Sequence, residues 1–354
     1  MLFYYNIFFF LTFLFITPNR LSKNFNNFFW VILFFFFVII IGLRLDVSGD
    51  WQIYRENFYS YGERNLFNPL DLKVKIRSDY LYELLSWIVY NLDLEYYFVT
   101  LVCALIFTFG LFKFCIFTRQ PILSLIIACP YLIFIIAMGY TRQSVAISLI
   151  MISLIMLLKD KYYWYLFLII TAVLFHKVAI IMVTLIYLVH TKNFFIQKFF
   201  VIPFFFSIII YLLSSDFKFL LYYLSNDNTV TSGGALYRYF LQLIPSILYL
   251  YYRNILSVNI NERKIFTFFS IISILIIYFV LFYSTAADRL LLYFIPLQIL
   301  VFSRLSLIFY NQINKSMINF LIVLYFLIQL IFWFNFSYTS FAWTPYNNYL
   351  FLIF

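Results

Sequence analysis

Long apolar runs that are nearly free of charge recur along this 354-residue chain, and they limit its fold more than any other feature. A helix needs roughly 20 apolar residues to cross the hydrocarbon core of a bilayer. Hydrophobic residues make up 65% of the chain and charged residues 11%, whereas soluble domains carry roughly 25% charged residues. These runs exclude a soluble domain, a disordered chain and a nucleic-acid-binding module. They also exclude an outer-membrane barrel, because barrel strands alternate apolar and polar residues.

The runs predict an all-α fold, a polytopic membrane bundle that forms a single integral membrane domain over residues 1–354. About 12 transmembrane helices are expected, near residues 2–17, 28–43, 96–117, 121–138, 142–158, 162–176, 177–191, 196–213, 236–252, 265–283, 289–303 and 317–336. The first run is expected to stay as a span, because no Lys or Arg precedes it and no small-residue cleavage site follows it. Residues 80–92 are a shorter apolar stretch that carries Glu83, and a short interfacial or re-entrant helix is expected there.

The basic residues are distributed unevenly between the two faces of this predicted bundle. With the N-terminus outside, the inner connectors hold thirteen Lys and Arg against two acids, a net charge of +11. The outer face holds eleven Lys and Arg against twelve acids, a net charge of −1. Cytoplasmic loops carry the excess of Lys and Arg, so this orientation is predicted.

The predicted extracytoplasmic face carries charges of both signs beside aromatic residues at helix ends. Its segments are the loop 44–79, with six basic and six acidic residues, the loop 214–235 and the C-terminal tail 337–354. The inner connectors are short and basic, as expected of orientation signals. The asymmetry predicts a functional site on the extracytoplasmic face.

Two acidic residues follow the second predicted span, in the segment that runs from Arg44 to Asp50. Asp46 and Asp50 lie four residues apart with Gly49 allowing a turn, so either could serve as a general base or orient one. Alternatively, Arg44 snorkels at a helix end and both acids are simply solvated.

Two further candidates lie at the ends of predicted spans on the same face. Arg142 and Gln143 open a span, where a guanidinium and unpaired backbone N–H groups suit a phosphate. The alternative is an interfacial anchor, but a cation on this face opposes the positive-inside rule, which favours function. His176, with Lys177 beside it, has an imidazole that titrates near neutral pH; the alternative is a hydrogen-bonded packing residue.

The remaining candidates are basic and aromatic residues nearer the C-terminus and in the first loop. Arg238 enters one span and Asp288-Arg289 begins another, unless they form an ion pair that fixes the bundle. Four aromatic residues could stack on sugars or belong to the interfacial aromatic belt, namely Trp51, Tyr54, Trp343 and Tyr346. Neither a nucleotide-binding nor a hydrolase motif is present, so no cofactor and no metal site are expected.

These features form an ordered series along the chain. In order they are Arg44…Gly49-Asp50…Tyr54, Tyr82-Glu83, Thr141-Arg142-Gln143, Phe175-His176-Lys177, Arg238, Asp288-Arg289 with Tyr293, and Trp343…Pro345-Tyr346. With this series, from about residue 40 to 346, the chain resembles the EpsG-like family of polysaccharide polymerases. That family includes many Wzy-type O-antigen polymerases of Gram-negative bacteria.

The resemblance implies a glycosyltransferase of the bacterial inner membrane whose active face is periplasmic. It would transfer a growing glycan from undecaprenyl pyrophosphate to the terminal sugar of another lipid-linked repeat unit, driven by the pyrophosphate–sugar bond. Its partners would be these lipid-linked units, membrane lipids and a chain-length-determining copolymerase, with no nucleic acid.

The same resemblance assigns roles to the candidate residues. The implied pyrophosphate ligands are Arg142, Arg238, Arg289, Arg44 and Lys177. The implied general base is His176, Asp46 or Asp50. Residues implied to bind sugar or to orient other groups are Gln143, Tyr54, Glu83, Asp288, Tyr293, Trp343 and Tyr346.

Two other functions remain as alternatives to a polymerase. A flippase for the same lipid-linked unit would place polar residues near the middle of the membrane, whereas here they gather at one rim. An O-antigen ligase-like transferase would use the same pyrophosphate chemistry with a different acceptor.

Overall fold

The structure is a computed structural model that describes residues 1–17, 23–63, 79–190 and 234–353. These residues are helical, and their β-type pairing is one isolated antiparallel bridge between Arg44 and Asn348. Large apolar side chains such as Phe320 and Phe336 are 65% and 72% exposed, as expected of a surface that faces lipid. The prediction of an all-α membrane protein is therefore confirmed.

Five helices of the described residues are long and apolar enough to cross a membrane. They are Tyr96–Phe117, Thr141–Leu158, Ile260–Phe282, Ser284–Ile308 and Gln312–Phe336. Five shorter apolar helices are Leu2–Ile16, Asn27–Gly42, Pro121–Ala137, Tyr162–Phe175 and Lys177–Val189. All ten coincide with predicted spans. The predicted span 236–252 lies in the helix Ala235–Leu256, which is not among these ten. The predicted span 196–213 lies outside the described residues, and the total of about 12 stays a prediction.

The chain divides into two compact units. Unit 1 comprises Met1–Ile152, Thr171–Lys177 and Met317–Phe354, and unit 2 comprises Ser153–Ile170 and Val178–Ser316. Helices of unit 1 include Leu2–Ile16, Lys23–Gly42, Trp51–Gly62, Tyr80–Asn91, Tyr96–Phe117, Pro121–Ala128, the π-helical stretch Cys129–Ala137 and most of Thr141–Leu158 and Gln312–Phe336. Helices of unit 2 include Leu185–His190, Ala235–Leu256, Ile260–Leu275, Ile277–Phe282, Ser284–Leu291 and Ile295–Leu305.

Small residues bring three helices of unit 1 close together. A Cβ added to Gly42 would lie 2.8 Å from Leu101 Cα, and one added to Gly110 would lie 2.5 Å from Ser148 O. Thr100 Oγ1 donates to Gly42 O at 2.5 Å. Lipid supplies no hydrophobic force between helices, so close packing of this kind holds membrane helices together. The Tyr96–Phe117 helix is thereby packed against both Lys23–Gly42 and Thr141–Leu158.

The C-terminal tail is bound to the segment that follows the Lys23–Gly42 helix. Leu45 N–H donates to Asn347 O at 3.0 Å, and Tyr349 N–H donates to Leu43 O at 2.8 Å. Ser48 N–H donates to Ala342 O at 2.8 Å. Backbone hydrogen bonds therefore fix residues 43–48 through a segment about 300 positions away in sequence.

The predicted loop 44–79 contains a helix, Trp51–Gly62, in its described part. The turn before this helix contains Gly49, as the sequence predicted, and Trp51 N–H donates to Ser48 O at 3.3 Å across it. The left-handed residues of this segment are Asp46, with φ 51°, and Ser48, with φ 98°, and no described glycine has a positive φ. The short helix predicted at 80–92 is present as Tyr80–Asn91. Most of the predicted loop 214–235 lies outside the described residues.

A buried ion pair anchors helices of unit 2. Arg304 and Glu262 pair with side chains only 4% and 1% exposed, and Arg304 Nη1 also donates to Leu256 O at 2.9 Å. Asn259 Oδ1 accepts from Glu262 N–H at 2.7 Å, capping the Ile260–Leu275 helix. These contacts lie on the predicted cytoplasmic side. From the sequence, the basic residues on that side were expected only to set the orientation of the protein in the membrane.

Candidate functional site

Arg142 lies at the start of the Thr141–Leu158 helix and is the centre of a polar cluster in unit 1. Its Nη1 forms an ion pair with Asp79 Oδ2 at 3.2 Å, and its Nη2 donates to Tyr61 Oη at 3.4 Å. Its Cζ lies 5.1 Å from the centroid of the Tyr54 ring and 4.9 Å from that of Tyr82. A guanidinium held between two aromatic faces and a carboxylate has little freedom to reorient.

Asp79 connects this arginine to a second part of unit 1. It is the N-cap residue of the Tyr80–Asn91 helix, yet its side chain does not cap that helix. One carboxylate oxygen takes the Arg142 ion pair, and the other accepts from Lys177 N–H at 3.4 Å. The side chains of Arg142 and Asp79 are 21% and 15% exposed, so the pair is reachable from outside the protein.

The phenols of Tyr54 and Tyr82 are protonated at neutral pH. Burial raises the pKa of the Tyr54 phenol above 10, although Arg142 opposes the shift, and it raises the pKa of Tyr82 well above 10. Neither phenol can act as a base, since desolvation disfavours the phenolate. Tyr54 and Tyr82 present aromatic faces to the arginine, and Tyr61 Oη accepts a hydrogen bond from it.

Arg44 is buried beside this cluster, with 1% of its surface exposed. Its Nη2 donates to Thr141 Oγ1 at 2.9 Å, and its Nη1 donates to Ile41 O at 2.5 Å. Among the described residues no carboxylate lies within 4.0 Å of it, and its Nε has no hydrogen-bond partner. Arg44 therefore does not snorkel to the surface; it binds the residue that precedes Arg142.

The backbone N–H of Lys177 donates to Asp79 Oδ1, so His176 and Lys177 lie next to the Arg142–Asp79 pair. His176 is half-buried and Lys177 is exposed. His176 N–H donates to Ala172 O at 2.8 Å, which ends the preceding helix. The structure thus brings the predicted residues Arg44, Arg142, His176, Lys177 and Tyr54 to one region of unit 1.

Four other predicted residues of unit 1 lie on neighbouring elements. Gln143 and Glu83 are buried, at 4% and 8% exposure. Asp50 is the half-buried N-cap residue of the Trp51–Gly62 helix. Asp46 is exposed, and its Oδ1 accepts from Gln52 Nε2 at 3.5 Å.

The other predicted phosphate ligands belong to unit 2. Arg238, on the Ala235–Leu256 helix, pairs with Asp288 on the Ser284–Leu291 helix, with side chains 15% and 12% exposed. From the sequence, an ion pair between helices was the alternative to a functional role for these residues, and the structure contains such a pair between Arg238 and Asp288. Arg289 is exposed and Tyr293 is fully buried.

Trp343 and Tyr346 are held by contacts inside unit 1, and their stacking on sugars stays a prediction. Trp343 is 5% exposed and its Nε1–H donates to Phe134 O at 2.7 Å. Tyr346 Oη donates to Ile40 O at 2.8 Å, and its ring stacks on Phe3 at 3.7 Å. The Trp343 indole is buried and Phe3 covers one face of the half-buried Tyr346 ring, so both side chains help to hold the tail in place.

Several residues of the site were not predicted. Asp79 and Tyr61 contact Arg142, and a groove nearby is lined by Gln52, Arg55, Glu56, Tyr59 and Asn347. An Asp directly before a short helix is a recognised N-cap signal, but nothing local indicates that its side chain contacts Arg142. The described residues contain no group of three or more His, Cys, Asp or Glu that could hold a metal ion.

Comparison with protein families gives one match over most of the chain. The sequence model of the EpsG family matches residues 27–348. The matched region includes every part of the cluster around Arg142. Searches of curated proteins and of solved structures each found no match to this chain.

Proposed function

Because the chain belongs to the EpsG family, we propose that it is an O-antigen polymerase acting on lipid-linked repeat units at the periplasmic face of the inner membrane. Family membership makes it a polysaccharide polymerase-type membrane protein with a glycosyltransferase-like activity. Our proposal adds the donor, undecaprenyl pyrophosphate carrying the growing glycan, and the acceptor, the terminal sugar of a second lipid-linked unit.

The observation that carries this proposal is a pair of arginines with spare hydrogen-bond donors. Both Arg44 and Arg142 have a buried Nε–H without an acceptor, and buried donors of this kind call for an explanation. Among the described ion pairs Arg142 has a single carboxylate partner, Asp79, and Arg44 has none. A multiply charged anion bound at Arg142 would satisfy the free donors of that arginine and offset the positive charge of both arginines.

The leaving group of the proposed reaction is such an anion. When the bond between the glycan and the pyrophosphate breaks, negative charge develops on the bridging oxygen. A guanidinium already fixed by Asp79 and two aromatic rings stabilises that charge without having to reorganise. We therefore assign Arg142 to direct pyrophosphate binding and Arg44 to positioning of the Thr141–Arg142 helix start. Lys177, Arg238 and Arg289 remain predicted ligands.

The acceptor hydroxyl needs a general base, and position favours His176 over the two acids. His176 is one residue from the backbone N–H that bonds to Asp79. Replacing His176 with alanine is expected to lower chain extension about 100-fold or more, the usual range for loss of general base catalysis. Asp46→Asn is expected to have a much smaller effect on rate. The rates of polymer formation by the two variants decide which residue is the general base. If Asp46→Asn loses polymer formation while His176→Ala keeps the normal rate, the base is Asp46 and the assignment of His176 is wrong.

The proposed function is tested first in the host bacterium. Deleting the gene is expected to remove the ladder of long O-antigen chains and to leave lipid A-core with at most one repeat unit. Restoring the gene should restore the ladder. If all surface glycan disappears while repeat units accumulate on the cytoplasmic face, the protein is a flippase. If polymer forms on its lipid carrier but never reaches lipid A-core, it is a ligase.

A further inference from the structure

A polar groove lies on the surface of unit 1, on the side of the Trp51–Gly62 helix that does not contact Arg142. Its volume is about 590 Å³, within the roughly 300–1,000 Å³ range of small-molecule sites. Its lining consists of Leu45, Asp46, Trp51, Gln52, Arg55, Glu56, Tyr59 and Asn347. The loop 43–48 and the C-terminal tail that frame it are held together by backbone hydrogen bonds.

The helix that borders the groove separates it from the arginine cluster. Tyr54, Phe58 and Tyr61 follow the spacing of one helix face, and the first and last of them contact Arg142. Gln52, Glu56 and Tyr59 are exposed on the opposite face. A helix with its side chains is about 10 Å wide, so a ligand in the groove is held about that far from Arg142.

The lining of the groove matches the chemistry of sugars. Carboxylates and side-chain amides accept and donate hydrogen bonds, as sugar hydroxyls require. Tyr59 adds an aromatic surface, while Arg55 lies over the Trp51 ring at 5.6 Å and hydrogen-bonds to Tyr59. Two carboxylates against one guanidinium leave the lining net negative, which opposes a phosphate or an acidic sugar.

We propose that this groove is a glycan subsite that binds neutral or amino sugars of the chain at a distance from the reacting pyrophosphate. The inference rests on the proposed polymerase function and names a sugar-binding element of it. Binding of a non-reacting part of the substrate contributes free energy that orients the reacting end. A chain held here also remains on the enzyme between additions, so the groove favours long products.

The test measures glycan binding directly with the full-length protein in detergent. The probe is the free oligosaccharide repeat unit, released by mild acid from the host's lipid-linked intermediates and observed by saturation-transfer NMR. Glu56→Gln removes one charged hydrogen-bond acceptor from the groove and is expected to weaken binding about tenfold. Glu63→Gln is the matched control, because Glu63 is an exposed residue at the end of the same helix that does not line the groove.

Chain length provides the second readout. Glu56→Gln is expected to form the first linkage but to give shorter chains than the wild type and Glu63→Gln. If the wild type polymerises while Glu56→Gln binds the oligosaccharide equally well and gives chains of the same length, the subsite is wrong and the polymerase stands. If the wild type makes no polymer but Glu56→Gln still loses oligosaccharide binding, the polymerase is wrong and the subsite stands. Displacement of the sugar signal by glycerophosphoethanolamine would mean that the groove binds a lipid headgroup, which also overturns the proposal.

Discussion

Replacing Arg142 with alanine is expected to lower chain extension by about 100- to 1,000-fold, the usual effect of removing one preorganised donor to a developing negative charge. The side chain is fixed by Asp79, Tyr61, Tyr54 and Tyr82. Its loss removes both the charge and the fixed geometry. The measurement is the initial rate of polymer formation from lipid-linked repeat units in reconstituted membranes.

Two further variants separate this role from a structural one. Arg142→Lys keeps the positive charge but loses the planar fork of donors, so it is expected to be intermediate in rate. Arg253→Ala removes an exposed arginine from the last turn of the Ala235–Leu256 helix and is expected to be fully active. Normal activity of Arg142→Ala, in protein with an unchanged melting temperature, would contradict the assignment of Arg142 to pyrophosphate binding.

Replacing Trp343 with alanine is expected to destabilise unit 1 by about 3–5 kcal/mol, the usual cost of truncating a buried tryptophan. The indole is 5% exposed, donates to Phe134 O, and lies at 5.1 Å from the Trp333 ring. Its backbone carbonyl also accepts from Tyr4 Oη at 2.8 Å, tying the tail to the first helix. The measurement is thermal unfolding in detergent.

Trp343→Phe divides this effect into its parts. It retains an aromatic ring but leaves Phe134 O without its donor, so a loss of about 1–3 kcal/mol is expected. Trp164→Ala is the matched control, because that indole is 60% exposed. A sugar-stacking role would give the opposite pattern, in which Trp343→Ala lowers oligosaccharide binding while the melting temperature is unchanged.

The membrane helices could be predicted from the sequence because each follows from its own apolar run. The Tyr80–Asn91 helix was predicted to within one residue for the same reason. The Trp51–Gly62 helix was not, since it lies in a charged segment with no continuous apolar stretch. Helices of this mixed kind form when tertiary packing covers one face, here the face of Tyr54 and Tyr61.

The candidate site was predictable in its residue types but not in its pairings. Arg142 was identified because a cation at a helix end on the predicted extracytoplasmic face opposes the positive-inside rule, and His176 because an imidazole titrates near neutral pH. Asp79 contacts Arg142 across 63 positions in the sequence, and such a pairing depends on how the helices pack. Burial likewise separates Trp343, a scaffold residue, from Tyr59, which lines the groove. A count of aromatic residues cannot make that distinction.

The central claim is that this chain alone extends lipid-linked glycans, using the pyrophosphate–sugar bond as its source of free energy. The most direct test reconstitutes the purified protein with purified undecaprenyl-pyrophosphate-linked repeat units, without nucleotide. We predict a ladder of longer lipid-linked glycans together with release of undecaprenyl pyrophosphate. Folded protein that moves repeat units across the membrane without lengthening them, or leaves them unchanged, would contradict the claim.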